Sequence, residues 1–157
     1  MFILYFCIEN YKNMILVVFD CDNTVWNLPY PEEDSYMKTI ESIIDHHFVY
    51  KEEILEDYFK YRKNPNNKFV ILTNRLKTLE NIIVSKLEKE KNLHFDYKLF
   101  MLDNNDRDKG NRLKKLIEEL KNVEEIVFYD DKDKHLYSVY LLKNIFPEIN
   151  ITVVKVV

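Results

Sequence analysis

Short apolar runs alternate along the chain with longer amphipathic stretches, which is the pattern of a parallel sheet whose strands are connected by helices. The clearest run, residues 15–19, is apolar at every position and rich in β-branched residues. Such a run predicts a strand that is buried on both faces. It stops at Asp20 and Asp22, two carboxylates separated by one residue. Because ligands of open α/β sheets bind beyond the carboxyl ends of the strands, we expect both aspartates to face the ligand.

The same unit of strand, polar tip and helix recurs along the chain. Four further strands are predicted by short apolar runs, at residues 69–73, 97–102, 126–129 and 151–157. Helices are predicted where apolar residues recur at helical spacing, at residues 31–48, 54–62, 76–87, 113–120 and 136–143. The pattern therefore predicts an α/β fold in which helices cover both faces of a five-stranded sheet.

The composition agrees with one folded domain. A chain of 157 residues is long enough for one such sheet with its helices, and we expect no second domain. The content of 46% hydrophobic and 14% aromatic residues excludes a disordered chain. A formal net charge of -4 argues against a globally basic nucleic-acid binder, although a local basic patch stays compatible with it.

The first 13 residues are treated separately, because Met14 directly precedes the first strong strand. Their apolar run is far shorter than the ~18 residues that a membrane helix needs, and it lacks the features of a signal peptide. We interpret residues 1–13 as an extension, either an edge strand or the product of an upstream start codon, ahead of a domain at 14–157. The two cysteines, Cys7 and Cys21, form no disulfide framework, so we expect a cytoplasmic protein without a membrane partner.

Polar residues suited to phosphoryl transfer stand at or just beyond the predicted strand ends. They are Asp20 and Asp22, then Thr73, Asn74 and Arg75, then Lys109, and finally Asp130 and Asp131. One carboxylate can attack phosphorus while a second protonates the leaving oxygen and then deprotonates water, and we assign these roles to Asp20 and Asp22. Clustered carboxylates favour a hard cation, so we expect Asp20 with Asp130 or Asp131 to hold Mg²⁺.

The other residues of this set suit phosphate binding. The hydroxyl of Thr73 and the exposed amides at the strand ends can bind phosphoryl oxygens, and Lys109 can neutralise negative charge in the transition state. Asn74 and Arg75 follow Thr73 directly and are assigned to the same substrate-binding group.

Four ordered motifs resemble those of the haloacid-dehalogenase-like (HAD) superfamily of aspartyl-phosphate phosphatases. They are Phe-Asp-Cys-Asp-Asn-Thr at 19–24, Ile-Leu-Thr-Asn-Arg at 71–75, Lys109, and Phe-Tyr-Asp-Asp at 128–131. The resemblance covers about residues 15–157 and implies a Rossmannoid three-layer sandwich with a mainly parallel sheet of strand order 5-4-1-2-3. It also implies Asp20 as nucleophile, Asp22 as acid/base, and Thr73 and Lys109 as phosphate binders. The implied Mg²⁺ ligands are Asp20, the main-chain carbonyl of Asp22, and Asp130 or Asp131.

A narrower likeness concerns residues 128–135, which are similar to the Tyr-Glu-Asp-Arg-x-x-His motif of the "Swiss army knife" RNA-repair-like HAD family. Asp130 replaces the Glu of that motif and Lys132 replaces its Arg, and Lys109 lacks the family's Thr-x-x-Phe-Lys setting. Members of the superfamily carry specificity-determining caps after the first motif or between the second and third. Residues 25–68 and 74–108 leave no room for a large insertion, so we expect a minimal cap or none.

Three functions follow from these residues. The first is a Mg²⁺-dependent phosphomonoesterase that acts on phosphorylated RNA or DNA ends, and the second is a small-molecule phosphatase such as a nucleotidase. The third is a non-catalytic phosphate- or RNA-binding domain, which the Asp20 and Asp22 pair disfavours because binding alone needs no nucleophile beside an acid. An uncapped site admits a chain end, and basic residues gather at the predicted strand-end face, at Arg75, Lys77, Arg107, Lys109, Arg112, Lys132 and Lys134.

Two residues keep alternative interpretations. Trp26 is either a core residue or a surface on which a substrate base stacks. His135 is interpreted as a surface or orienting residue rather than a metal ligand, since Mg²⁺ prefers oxygen.

Overall fold

A computed structural model describes residues 14–28, 43 and 48–157 of the chain. Within these residues the strands β1 to β7 are Met14–Phe19, Trp26–Asn27, Val49–Tyr50, Lys68–Leu76, Tyr97–Met101, Val123–Asp130 and Asn150–Lys155. The α-helices α1 to α4 are Glu52–Arg62, Glu80–Lys91, Lys109–Glu119 and Asp133–Tyr140. Two short 3₁₀ helices, Lys77–Leu79 and Leu141–Asn144, adjoin α2 and α4.

Five strands form one sheet, in the order β5-β4-β1-β6-β7, and every neighbouring pair is parallel. Counted by themselves and read from the β7 edge, these strands have the order 5-4-1-2-3. The element numbers differ from the predicted ones only because β2 and β3 form a separate antiparallel pair outside this sheet. The predicted α/β Rossmannoid fold is therefore confirmed.

Alternate residues of β1 belong to two hydrophobic cores on opposite faces of the sheet. Val17 and Phe19 pack in one core with buried residues of α1 and α2, which are Ile54, Leu55, Tyr58, Ile83, Val84 and Leu87. Leu16 and Val18 pack in the other with Leu113, Leu116, Ile117, Leu136 and Val139 of α3 and α4. Because both faces of β1 are buried, the strand is apolar throughout, and the molecule has three layers.

The predicted elements and the structure differ mainly in their boundaries. β4 continues to Leu76, so Asn74 and Arg75 lie inside the strand rather than after it, and Thr73 is not its last residue. α3 begins at Lys109, ahead of its first predicted apolar position, because the Asp108 side chain caps the helix by accepting from Asn111 N at 3.1 Å. Both differences bring polar residues of the candidate site onto regular elements.

Several predictions concern segments that the structure describes in part or not at all. Residues 1–13 and nearly all of the predicted helix at 31–48 lie outside the described residues; Ile43 is described, helical and buried. Residues 74–108 are all described, and they hold the end of β4, α2 and β5, which leaves no cap in that interval.

Among the described residues, no helix has the length and apolar character needed to cross a bilayer.

Candidate active site

The candidate site lies where the central strands end and α3 begins. Asp20 follows β1, and Asp130 is the last residue of the neighbouring β6. The Nζ atom of Lys109 lies 2.7 Å from Asp20 Oδ1 and 2.7 Å from Asp130 Oδ2. All three side chains are buried. One ammonium therefore compensates two carboxylates that would otherwise repel each other in a region of low dielectric.

The turn after β1 holds the second oxygen of Asp20. Thr24 Oγ1 donates to Asp20 Oδ2 at 3.1 Å, and the main chain of Thr24 and Val25 folds back onto the carbonyl of Cys21. Asn23 takes the left-handed conformation that this turn needs, with φ of 58°, and its side chain accepts from Leu28 N at 3.0 Å. Asp20 is thus held at both carboxylate oxygens.

Asp22 is bound by a different set of partners. Arg75 donates to both of its oxygens, from Nε at 2.7 Å and from Nη2 at 3.2 Å, and Trp26 Nε1 donates to Oδ1 at 2.9 Å. The bidentate contact with Arg75 fixes the plane of the Asp22 carboxylate. Arg75, predicted to bind substrate, is therefore placed against the predicted acid/base.

Trp26 belongs to the core. It is 1% exposed, and its ring stacks on Phe48 with centroids 4.2 Å apart. No ring face is left for a substrate base, so the stacking alternative for Trp26 was wrong. Its side chain reaches the site through the indole N–H alone.

Both carboxylate oxygens of Asp130 have hydrogen-bond partners. Lys132 N donates to Oδ1 at 2.8 Å, and His135 Nδ1 lies 3.1 Å from Oδ2. Burial raises the pKa of Asp130, but the hydrogen bond from His135 and the charge of Lys109 outweigh it and lower this pKa to about 2. His135 is buried, so the orienting interpretation fits its position and the surface interpretation does not.

Three carboxylates form the place where a cation fits. Ligand oxygens of Asp20, Asp130 and Asp131 lie within 4.8 Å of one another, and Asp20 and Asp130 are buried. Burial raises the pKa of Asp20 to about 7 despite the opposing charge of Lys109. A hard divalent cation prefers such oxygen donors and would favour their ionised forms, so these residues suit Mg²⁺. Among the described residues, this group of carboxylates does not include Asp22, whose side chain binds Arg75 and Trp26 instead.

Thr73 and Asn74 are tied to α3 by Arg112. The Arg112 Nη1 atom donates to Thr73 O at 2.7 Å and to Leu99 O at 2.9 Å, and Nη2 donates to Asn74 Oδ1. Arg112 thus joins the neighbouring strands β4 and β5. Thr73 is 1% exposed, and its hydroxyl accepts a hydrogen bond from Arg75 N at 3.2 Å.

Fewer of the basic residues predicted at the strand-end face are exposed than expected. Arg75, Lys109 and Arg112 are buried and bound to protein groups, so they form no part of an exposed basic surface. Lys109 and Arg112 lie three positions apart on one face of α3, which directs both inward. The remaining basic residues of that set are the exposed Lys77, Arg107 and Lys134 and the half-buried Lys132.

The start of α3 is fixed by contacts that sequence reasoning did not identify. Ser138 Oγ of α4 donates to Asp108 Oδ1 at 2.7 Å and accepts from Gly110 N at 2.9 Å. A Cβ atom on Gly110 would lie 2.6 Å from the Ser138 carbonyl oxygen, closer than such atoms approach. Gly110, the single glycine of the chain, was the available signal for this close approach of α3 to α4.

Comparison with known proteins gives a likeness at the level of structure. No family model matches the chain, and no curated protein sequence matches it. The HAD domain of the effector protein Lem4 from Legionella pneumophila superimposes with a TM-score of 0.60 at 16% identity, over 91% of this chain and 86% of that one. A chain of the Pnkp1/Rnl/Hen1 complex gives a TM-score of 0.59 at 15% identity, over 90% of this chain and 46% of that one.

Replacement of Asp20 by Asn should change how stability depends on pH. Asp20 has a pKa of about 7 in the fold and an ordinary value near 4 when unfolded, so the wild type loses stability as pH rises between these values. Asn does not titrate. We therefore expect the unfolding free energy of Asp20→Asn, relative to wild type, to rise by on the order of 3 kcal/mol from about pH 4 to about pH 7.

Urea unfolding in the presence of a chelator measures this difference, and Asp130→Asn provides the opposite sign. The pKa of Asp130 is lowered to about 2, so its contribution is present above about pH 4 and is lost as pH falls toward 2. Asp130→Asn should therefore lose stability relative to wild type as pH rises through that lower window. A pH-independent difference for Asp20→Asn would contradict the burial of its carboxyl.

Proposed function

We propose that this chain, which has the haloacid-dehalogenase-like fold, is a Mg²⁺-dependent phosphomonoesterase that acts through an aspartyl-phosphate on Asp20. The fold that the chain shares with the HAD domain of Lem4 supports this class of reaction. The observation that carries the proposal is the setting of Asp20 at the carboxyl end of the central strand. Lys109 Nζ lies 2.7 Å from one of its oxygens, and the Thr24 hydroxyl lies 3.1 Å from the other.

In the first step an oxygen of Asp20 attacks phosphorus and the bond from phosphorus to the leaving oxygen breaks. Asp22 donates a proton to that oxygen, and the phosphoryl group stays on Asp20 as an acyl phosphate. Arg75 and Trp26 hold the Asp22 carboxyl in one orientation for this transfer. The two aspartates are separated by one residue and have separate partners, which supports separate roles.

In the second step the Asp22 carboxylate takes a proton from water as the water oxygen attacks phosphorus. The bond between phosphorus and Asp20 breaks, which restores Asp20 and releases inorganic phosphate. Lys109 stabilises negative charge on the transferring group, because its ammonium already lies against the nucleophile. Asp20, Asp130 and Asp131 would hold Mg²⁺, which would supply charge neutralisation of the phosphate.

Phosphorylated RNA or DNA ends are the substrates that we propose. Residues 74–108 carry no cap, so nothing from this interval encloses a small metabolite. The exposed Lys77, Arg107 and Lys134, together with Lys132, lie on or beside the elements that carry the candidate site, where they can attract a polyanion although the whole chain is acidic. The alternative within the same chemistry is a small-molecule phosphatase such as a nucleotidase.

Turnover of an aryl phosphate with and without Mg²⁺ tests the reaction. Asp20→Asn should lower kcat by more than about 1,000-fold because it removes the nucleophile. Asp22→Asn should lower it by about 100- to 10,000-fold because it removes the proton donor and acceptor. Asp133→Asn, at an exposed aspartate outside the site, is the matched control and should keep wild-type turnover. Near-wild-type, Mg²⁺-dependent turnover by Asp20→Asn would reject Asp20 as the nucleophile.

Substrate preference is tested with a 3′- or 5′-phosphorylated oligonucleotide against the matching mononucleotide. We expect a higher kcat/KM for the oligonucleotide at low salt, and an advantage that falls as salt rises, because it depends on phosphate contacts. Lys134→Ala should reduce this advantage, whereas Lys121→Ala should not. Lys121 precedes the amino end of β6, whereas the candidate site lies at the carboxyl ends of the strands. An equal or higher kcat/KM on the mononucleotide would favour the small-molecule alternative.

A further inference from the structure

Four side chains next to the proposed nucleophile form one continuous polar chain. Arg112 Nη2 donates to Asn74 Oδ1, and Asn74 Nδ2 lies 3.5 Å from His135 Nε2, at the long end of hydrogen-bond range. On the other side of the ring, His135 Nδ1 lies 3.1 Å from Asp130 Oδ2. The chain therefore links α3, β4 and α4 to the carboxylate at the end of β6.

When the His135 ring is neutral, the donors in this chain can be assigned in only one order. A guanidinium has no acceptor, so the Asn74 atom that faces Arg112 must be the carbonyl oxygen. The amide NH₂ of Asn74 then faces His135 Nε2 and can only donate to it. Nε2 must accept and carries no hydrogen, which leaves the ring hydrogen on Nδ1, where it is donated to Asp130.

Arg112 is a fixed starting point for this order. Arg112 is 5% exposed, and its guanidinium donates to two main-chain carbonyls, those of Thr73 and Leu99. Within the described part of the chain Arg112 makes no ion pair, so its partners are these carbonyls and the Asn74 amide. The planar guanidinium has little freedom to rotate because it is bound to carbonyls of two strands. The Asn74 amide therefore cannot flip without placing its NH₂ group against the N–H donors of Arg112.

We propose that Arg112 and Asn74 act as positioning residues, which fix His135 with its hydrogen on Nδ1 and thereby fix the carboxylate of Asp130. Asn74 then serves inside the protein rather than as a contact to substrate. The consequence for a cation rests on the proposed function, because Asp130 is one of the three carboxylates that would hold Mg²⁺. Partners that orient metal-binding groups in this way typically affect metal affinity strongly.

Nitrogen NMR of the histidine rings in the full-length chain tests the assignment directly. In the wild type, His135 should show a protonated Nδ1 and an unprotonated Nε2, and its signals are identified by their loss in His135→Gln. Asn74→Asp keeps an oxygen toward Arg112 but turns the group facing Nε2 into an acceptor. The Nε2 of His135 should then become protonated, while His94, which contacts Asn92 at 2.7 Å, should not change.

The wild-type spectrum alone is decisive, so the test does not depend on the folding of a variant. A hydrogen on Nε2 in the wild type would overturn the proposal. Identical His135 ring signals in the wild type and in folded Asn74→Asp would overturn it as well.

Binding of Mg²⁺ measured by calorimetry, without substrate, tests the consequence for the cation. His135→Asn keeps an N–H near the position of Nδ1, whereas the Gln amide reaches the position of Nε2. His135→Gln should lose about 10- to 100-fold in affinity, and His135→Asn should lose less. Equal losses would show that the Nδ1 hydrogen does not position Asp130. Absence of Mg²⁺ binding by the wild type would reject the proposed metal site and leave the NMR result to decide the His135 assignment.

Discussion

The contact of one lysine with two buried carboxylates is the interaction on which the candidate site depends. Lys109 Nζ lies 2.7 Å from both Asp20 and Asp130, and none of the three residues is more than 6% exposed. Without the ammonium, two adjacent carboxylates would be buried with their charges uncompensated, which is costly. Lys109 is the first residue of α3, and from this position its ammonium contacts both acids.

The fold supplies the two carboxylates to the lysine. β1 and β6 are parallel neighbours in register, with Phe19 opposite Tyr129, so Asp20 and Asp130 leave the sheet side by side. The close approach of α3 to α4 at Gly110 and Ser138 fixes the start of α3, which carries Lys109. The packing of two cores on either side of β1 and the assembly of the polar site are thus consequences of the same strand order.

The sequence allowed prediction of the sheet because the central strands β1, β4 and β6 contain unbroken apolar runs that are buried on both faces. Asp20 and Asp22 were recognisable because they interrupt the strongest run abruptly. Lys109 was identified through the resemblance of ordered motifs, since nothing local separates it from the other lysines of the chain. Its role and those of the other site residues stay predictions.

Contacts between distant residues were beyond sequence reasoning. The pairing of Arg75 with Asp22 joins positions 53 apart, and that of Arg112 with Asn74 joins positions 38 apart. Arginines are usually exposed, so both were expected at a basic surface, whereas both are buried and donate to protein acceptors. Trp26 was open to two interpretations for the same reason, because its partner Phe48 lies far along the chain.

The central claim is that Asp20 carries the phosphoryl group during turnover, and chemical trapping tests it most directly. The full-length protein would be quenched in acid during turnover of an aryl phosphate and then treated with borohydride, which reduces an aspartyl phosphate to homoserine. Peptide mass spectrometry should find homoserine at position 20 and unchanged aspartate at position 22. Homoserine at position 22, or no modified residue in a sample that is turning over substrate, would contradict the account.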